Sequence, residues 1–166
     1  MILASLLLML ADNPKCRPCR VSPAGIGLIQ HFEGYSPFVY EDVAGKKTIG
    51  FGHLILPGER FREPMLPKEA TRLLEKDVGR TVSGVNRAVR VTLRQGQADS
   101  LHSFAFNLGT GALQSSTLLG RVNAGRHADV PGQFLRWNKA RVDGVLQPVR
   151  GLTRRREAEV DYYELD

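Results

Sequence analysis

The chain has 166 residues, of which 42% are hydrophobic and 24% are charged. This length and composition indicate one folded domain, or one domain in two lobes, and argue against a disordered chain or a coiled coil. The net charge of +6 favours a polyanionic partner such as nucleic acid, anionic lipid or an acidic cell-wall polymer, although a solvated basic surface would give the same value.

The N-terminus begins with an apolar run over residues 1–11, followed by a linker over residues 12–20. Eleven helical residues reach about 16 Å, roughly half of a bilayer's hydrocarbon thickness, so the run cannot cross a membrane as a simple helix. Its length suits a signal sequence, but the basic residues follow it instead of preceding it. A weak signal anchor with transient inner-membrane contact through residues 1–11 is favoured over a packing helix.

The linker holds the two cysteines of the chain, Cys16 and Cys19. A single C-x-x-C pair without a second pair or nearby histidines does not predict a structural zinc site. The spacing is compatible with either a disulfide or two free thiols, and a disulfide is favoured if the chain is exported.

The first predicted helix covers about residues 22–33. Ser22 is a typical N-cap, Pro23 suits the first helical position, and Gly34 can end the helix as its C-cap. Glu33 is therefore expected on the last turn, beside the segment that follows.

Residues 37–53 change to strand-type composition, with a turn at residues 42–45. This pattern predicts a small β hairpin, and a loop is expected from there to residue 67. Glu33, Asp42 and Thr48 would then bring two acids and a hydroxyl to one helix end and one hairpin. Such a set can protonate a leaving oxygen and orient a water molecule.

The rest of the chain is predicted to be helical. Apolar residues at helical spacing predict a long helix over about residues 67–90, and Thr92 with Gln95 reads as a capping box that opens a helix ending near residue 108. Shorter helices are expected over about residues 113–123, 131–140 and 153–163. The order predicts an α+β fold with a small β-hairpin lobe and a larger helical lobe joined by a long helix, in one domain over residues 21–166.

The central motif is Glu-x8-Asp-x5-Thr, formed by Glu33, Asp42 and Thr48 and followed by Ile-Gly-Phe-Gly-His. This motif resembles that of the phage-type lysozymes, the T4-lysozyme-like endolysins and especially their lambdoid branch. The resemblance extends in order over about residues 22–163. Further segments that carry it are residues 68–78, 104–109, 116–119, 123–125, 136–140 and 151–158.

The resemblance implies a lysozyme-like fold and hydrolysis of the β-1,4 bond between N-acetylmuramic acid and N-acetylglucosamine in peptidoglycan. It also implies a phage or prophage origin, synthesis in the host cytoplasm, action on the wall in the periplasm, and host lysis. A monomer that binds glycan strands, without nucleic acid and without metal or organic cofactor, is expected. The alternatives are a lytic transglycosylase and a non-catalytic basic wall-binding protein.

The chemistry of these side chains allows catalytic roles, and the full motif favours them. Glu33 is the candidate general acid, because a partly desolvated carboxyl at a helix C-terminus has a raised pKa and keeps its proton. Chemistry alone fits a solvent-facing glutamate at a helix terminus equally well, and the motif favours the catalytic role. Asp42 is expected to stay ionised and to stabilise the oxocarbenium-like transition state or act as base through water, unless it serves only as a turn residue. Thr48 could orient the water, although an isolated threonine is more often an ordinary strand residue.

Two further groups of residues are candidates for supporting roles. His53 is interpreted as a structural residue paired with Asp77 of the long helix, fastening the two lobes. Substrate contacts are assigned by resemblance to Leu54, Phe106, Asn107 and Trp137. A lone tryptophan is more often a core residue than a sugar platform.

Overall fold

The computed structural model describes residues 16–17, 19–42 and 45–165. The predicted membrane contact of residues 1–11 lies outside these residues. Within them the chain has the predicted α+β architecture, with a small antiparallel sheet followed by a long helix and a helical lobe. Across these described ranges, no helix combines the length and apolar character needed to span a membrane.

Helix α1 covers Pro23–Glu33, as predicted. The hydroxyl of Ser22 caps its first turn by accepting a hydrogen bond from the Gly25 amide at 3.1 Å. Gly34 ends the helix with a φ of 73°, which a residue with a side chain rarely adopts. Glu33 consequently lies where the helix stops and the chain turns into the sheet.

The β lobe has three antiparallel strands in the order β1-β2-β3, covering Ser36–Glu41, Lys47–Gly50 and His53–Leu54. The prediction of a two-stranded hairpin was therefore incomplete. Gly50 and Gly52, with φ values of 68° and 77°, let the chain reverse within two residues and add the third strand.

Helix α2 covers Pro67–Ala88 and joins the lobes. Leu74 and Val78 pack against Ile26 and Ile29 of α1, which fixes α1 to the long helix. The helix continues through Gly84, where a Cβ atom would lie 2.8 Å from Cγ2 of Thr110. The missing side chain therefore permits close packing at this point.

Helix α3 covers Gln95–Leu108 and runs through the centre of the helical lobe. Its N-cap is Arg94, whose backbone amide donates to Oε1 of Gln97 at 3.0 Å, while the arginine side chain makes no capping hydrogen bond. The observed N-cap thus lies two residues after Thr92, the predicted one. The chain is still extended at Leu93, which pairs with Cys16 in an antiparallel bridge.

The C-terminal part contains α4 (Thr110–Gln114), α5 (Thr117–Asn123), a 3-10 turn (His127–Asp129), α6 (Val130–Leu135) and α7 (Arg150–Glu164). The predicted helix 113–123 is interrupted because the Ser116 hydroxyl caps a new helix by accepting from the Leu119 amide at 3.0 Å.

The predicted helix 131–140 ends early, at Leu135, and the chain forms a hairpin of β4 (Lys139–Val142) and β5 (Val145–Pro148). Asp143 and Gly144 connect these strands with φ values of 50° and 81°. Two consecutive positive φ angles are typical of a tight hairpin turn, so the Asp-Gly pair closes a β hairpin here.

The cysteines form a disulfide, which decides between the two states left open by the sequence. Cys19 is further held by Asn86 of α2, whose side-chain amide accepts from the Cys19 amide at 3.0 Å and donates to the Cys19 carbonyl at 2.9 Å. Together with the Cys16–Leu93 bridge, these bonds attach the segment before α1 to the helical lobe.

Candidate active site

Glu33 is the central residue of the site. Its Oε1 accepts a hydrogen bond from Nη1 of Arg155 at 2.7 Å, and its side chain remains 23% exposed. The other carboxylate oxygen, Oε2, faces the turn between β2 and β3, where a Cβ atom on Gly52 would be 3.6 Å away. One oxygen is thus fixed by an arginine, while the other is directed toward the β lobe.

Asp42 and Thr48 lie near the same end of the β1–β2 pair. The Asp42 carboxylate accepts from the Lys46 amide at 2.9 Å, and the Asp42 amide donates to the Lys46 carbonyl at 2.9 Å. Thr48 pairs with Tyr40, two residues before Asp42, and its hydroxyl donates to the Lys46 carbonyl at 3.1 Å. Both side chains are therefore organised around the backbone of Lys46.

Beneath Glu33, α7 and α3 form a buried ionic cluster of Arg155, Arg156, Glu159 and Ser103. Oε1 of Glu159 accepts from the Ser103 hydroxyl at 2.7 Å and from Nη2 of Arg156 at 2.8 Å, and lies 3.5 Å from Nε of Arg155. Burial raises the pKa of Glu159, while the two arginines and the Ser103 hydroxyl act in the opposite direction.

Aromatic rings cover the two arginines of the cluster. The guanidinium of Arg155 is 5.6 Å from the ring centre of Phe32, and that of Arg156 is 5.0 Å from the ring centre of Phe104. Burial lowers the pKa of Arg156 to about 10, with Glu159 partly opposing this change. Both arginines remain cations at neutral pH, and Arg155 reaches Glu33 as a charged donor.

His53 lies between two carboxylates and is buried. Its Nδ1 is 2.7 Å from Oδ2 of Asp77, which is the predicted pairing, and its Nε2 is 2.9 Å from Oε2 of Glu59. The Glu59 contact was not predicted. The hydrogen bond from the Leu56 amide lowers the pKa of Glu59, and the contact with His53 lowers it further. His53 thus connects β3, the following loop and α2.

The four residues proposed to contact substrate lie in different settings. Leu54 is exposed and pairs with Thr48 across the sheet. Phe106 packs against the α1–α2 cluster, and Trp137 packs edge-to-face on Phe104 with ring centres 5.3 Å apart. The side chain of Asn107 accepts from Nη2 of Arg156 at 3.1 Å, so it also supports the ionic cluster.

The sequence analysis did not identify Arg155, Arg156 and Glu159 as parts of the site. Three consecutive arginines at 154–156 look like a solvated basic patch, but only Arg154 is exposed. The sequence does contain a relevant pattern. Glu159 lies four residues after Arg155 and three after Arg156, which places all three side chains on one helix face. No group of three or more acidic, histidine or cysteine side chains within the described ranges is arranged to hold a metal ion.

Comparison with known proteins agrees with this fold. Residues 30–159 match the family described as Phage lysozyme. The endolysin of Acyrthosiphon pisum secondary endosymbiont phage 1 is 33% identical over 87% of this chain and 97% of its own length. The endolysin of Bacillus phage B103 is 42% identical over 84% of this chain, which spans only 52% of that protein.

A solved structure shows the same architecture. The endolysin from Escherichia coli O157:H7 phage FAHEc1 superposes with a TM-score of 0.80 at 35% identity, covering 88% of this chain and 94% of that one. This α+β fold, together with the family match and the endolysin relatives, shows a glycoside hydrolase of the lysozyme type. The chain belongs to the phage lysozyme family.

Proposed function

We propose that this protein is an endolysin that cleaves the β-1,4 bond between N-acetylmuramic acid and N-acetylglucosamine, with Glu33, Asp42 and Thr48 as its catalytic residues. The observation that carries the proposal is the setting of Glu33. Arg155 holds Oε1, so Oε2 is the oxygen directed toward the β lobe that can carry a proton.

Bond cleavage starts at Oε2 of Glu33. This oxygen donates its proton to the glycosidic oxygen, because an unprotonated sugar alkoxide is a poor leaving group. The carboxylate that remains on Glu33 is then stabilised by the adjacent Arg155. The arginine thereby favours the product state of the proton transfer.

Asp42 and Thr48 act on the attacking water. The Thr48 hydroxyl donates to the Lys46 carbonyl, so its lone pairs are left to accept a hydrogen bond from that water. The Asp42 carboxylate stabilises positive charge on the sugar ring and accepts the proton that the water loses as its oxygen bonds to the anomeric carbon. Attack from the face opposite the leaving group inverts the anomeric centre.

The partner of the enzyme is the peptidoglycan strand, and its place of action is the bacterial cell wall. The family assignment and the endolysin relatives support both statements. We infer that the protein reaches the periplasm during lysis by a phage or prophage, acts there as a monomer, and uses residues 1–11 as a signal anchor. The basic net charge of +6 favours approach to an anionic wall.

The test measures loss of turbidity of chloroform-treated Gram-negative cells with the native protein and with Glu33→Gln. The variant keeps the size and hydrogen-bonding capacity of the side chain but cannot donate the proton, so lysis should fall by about 100-fold or more. Glu157→Gln is the matched control, because Glu157 is exposed on α7. Retained lysis by Glu33→Gln would overturn the proposal.

Product analysis and a second variant pair separate the other reaction types. Hydrolysis yields hydrated reducing ends, whereas a lytic transglycosylase yields anhydro ends and needs no group to position water. Asp42→Asn should abolish hydrolysis, and Glu41→Gln, at the exposed neighbouring position, should not. Wall binding without any released products would indicate a non-catalytic binding protein.

A further inference from the structure

Glu159 is a fully buried carboxyl group that the proposed mechanism does not use directly. A buried carboxylate has a high desolvation cost and is retained only with partners that compensate for it. Glu159 has three such partners on α3 and α7, and one of them, Arg155, also touches the proposed general acid.

Arg155 is held on three sides. Nε lies 3.5 Å from the Glu159 carboxylate, Nη2 donates to the Ser103 carbonyl at 3.4 Å, and Nη1 donates to Glu33 at 2.7 Å. Nε makes no hydrogen bond to any residue that the structure describes, so its contact with Glu159 is an ion pair. Because a guanidinium is planar and rigid, this ion pair and the Nη2 bond to Ser103 together orient Nη1 toward Glu33.

Glu159 is itself fixed independently of Arg155. The Ser103 hydroxyl and Nη2 of Arg156 hold its Oε1 at 2.7 and 2.8 Å, and Arg156 is in turn held by the side chain of Asn107. These contacts hold Glu159 in place. A series of contacts therefore connects α3, through Glu159 and Arg155, to Glu33.

We propose that Glu159 is a positioning residue for the reaction: it fixes Arg155 against Glu33 and balances the charge of the two buried arginines. This inference rests on the proposed role of Glu33 as the general acid. Glu159 does not touch the reacting atoms and acts only through Arg155.

The charge balance has a kinetic consequence. The charged groups that face Glu33 and Glu159 are Arg155 and Arg156 of α7, whereas α3 contributes the uncharged Ser103 and Asn107. The β2–β3 turn faces Glu33 through Gly52. Without the negative charge of Glu159, the charges of the two buried guanidinium groups are no longer balanced, and Arg155 is no longer fixed against Glu33.

The experiment compares the pH dependence of kcat and KM for native protein, Glu159→Gln and Glu157→Gln on soluble glycan strands. For Glu159→Gln, kcat should fall about 10-fold with KM nearly unchanged, because Arg155 is no longer held against Glu33. Glu157→Gln makes the same chemical change on the exposed face of the same helix and should leave the profile in place.

A milder variant keeps the test decisive if Glu159→Gln does not fold. Ser103→Ala removes one hydrogen bond to Glu159 without changing any charge, and it should lower kcat in the same direction by a smaller factor. A kcat profile identical to the native one in the folded variants, with only the melting temperature lowered, would overturn the inference.

Glu33→Gln distinguishes the two proposals. If Glu33→Gln is inactive while Glu159→Gln and Ser103→Ala keep the native profile, Glu159 is purely structural and the proposed function stands. If Glu33→Gln is active, the proposed function fails and the role of Glu159 fails with it.

Discussion

The Glu33 carboxylate and the Arg155 guanidinium are in direct contact at 2.7 Å, although 122 residues separate them in the chain. Glu33 ends the first described helix, and Arg155 lies in the last one. The site therefore forms only when α7 has packed on α3 and α1, so an intact C-terminal helix is a condition for activity.

Arg155→Met should destabilise the protein strongly. It leaves Glu33 without its arginine and removes one of the two cations beside the buried Glu159. Breaking a buried ion pair costs about 3–5 kcal/mol, which urea unfolding followed by circular dichroism would measure. Arg154→Met is the control, because Arg154 is exposed, and its effect should stay within about 0.5 kcal/mol. Equal effects of the two substitutions would contradict the buried-cluster description.

His53→Asn should lower stability but not turnover per folded molecule. The substitution removes two contacts with carboxylates, at 2.7 Å to Asp77 and 2.9 Å to Glu59, and we expect a loss of about 1–3 kcal/mol. His31→Asn, at an exposed position, provides the control for thermal unfolding. A large loss of kcat with an unchanged melting temperature would instead assign His53 a catalytic role.

Gly52→Ala should lower both stability and kcat. Gly52 has a φ of 77°, and the added methyl group would lie 3.6 Å from Oε2 of Glu33, in the space needed by the substrate oxygen. Gly58→Ala is the matched control, because Gly58 has a φ of 88° and its methyl group would meet nothing within 4 Å. Each alanine should cost about 1–2 kcal/mol in unfolding free energy, and only Gly52→Ala should reduce kcat. Native kcat in folded Gly52→Ala would argue against Oε2 as the proton donor.

Stability should fall in mild acid because of His102. Burial lowers the pKa of this histidine from 6.5 to about 4, and a backbone group of Cys19 offsets only part of the change. Between these two pH values the unfolded chain binds a proton that the folded chain does not, so the stabilisation present above pH 6.5 is lost as pH falls. The loss should reach about 3 kcal/mol near pH 4.

The measurement is urea unfolding of native protein and His102→Gln at pH 7 and pH 4.5. Burial also lowers the pKa of His127, which contributes in the same direction, so only the difference between the two proteins isolates His102. The native protein should lose more stability between the two pH values than the variant. An identical loss in both would show that His102 does not cause it.

The starts of α1 and α2 were predictable because they depend on local chemistry. Ser22 and Pro23 define the start of α1, and Pro67 the start of α2, through capping and backbone geometry that involve only neighbouring residues. The class of the fold followed from the same local signals. The choice of Glu33, Asp42 and Thr48 came from their spacing and from the family resemblance, and their catalytic roles stay predictions.

The buried arginines and the position of the α3 cap depend on tertiary contacts, whereas the second hairpin depends on a local turn pattern. Arg155 and Arg156 look solvent-exposed in the sequence, because only the folded chain brings Ser103 and Glu33 to Arg155 and Asn107 to Arg156. The position of the α3 cap depends on the bridge from Leu93 to a distant segment. The β4–β5 hairpin was locally encoded by Asp143 and Gly144, but the prediction extended a helix to about residue 140, whereas it ends at Leu135.

That hairpin is closed at its base, where the Val149 amide donates to the Asn138 carbonyl at 2.8 Å, and all four residues of β5 are exposed. The tip of the hairpin does not pack against the core. The turn formed by Asp143 and Gly144 is therefore a suitable site for inserting an affinity peptide or a fluorescent label. The labelled enzyme could then be followed on the cell walls of living bacteria without a tag at either terminus.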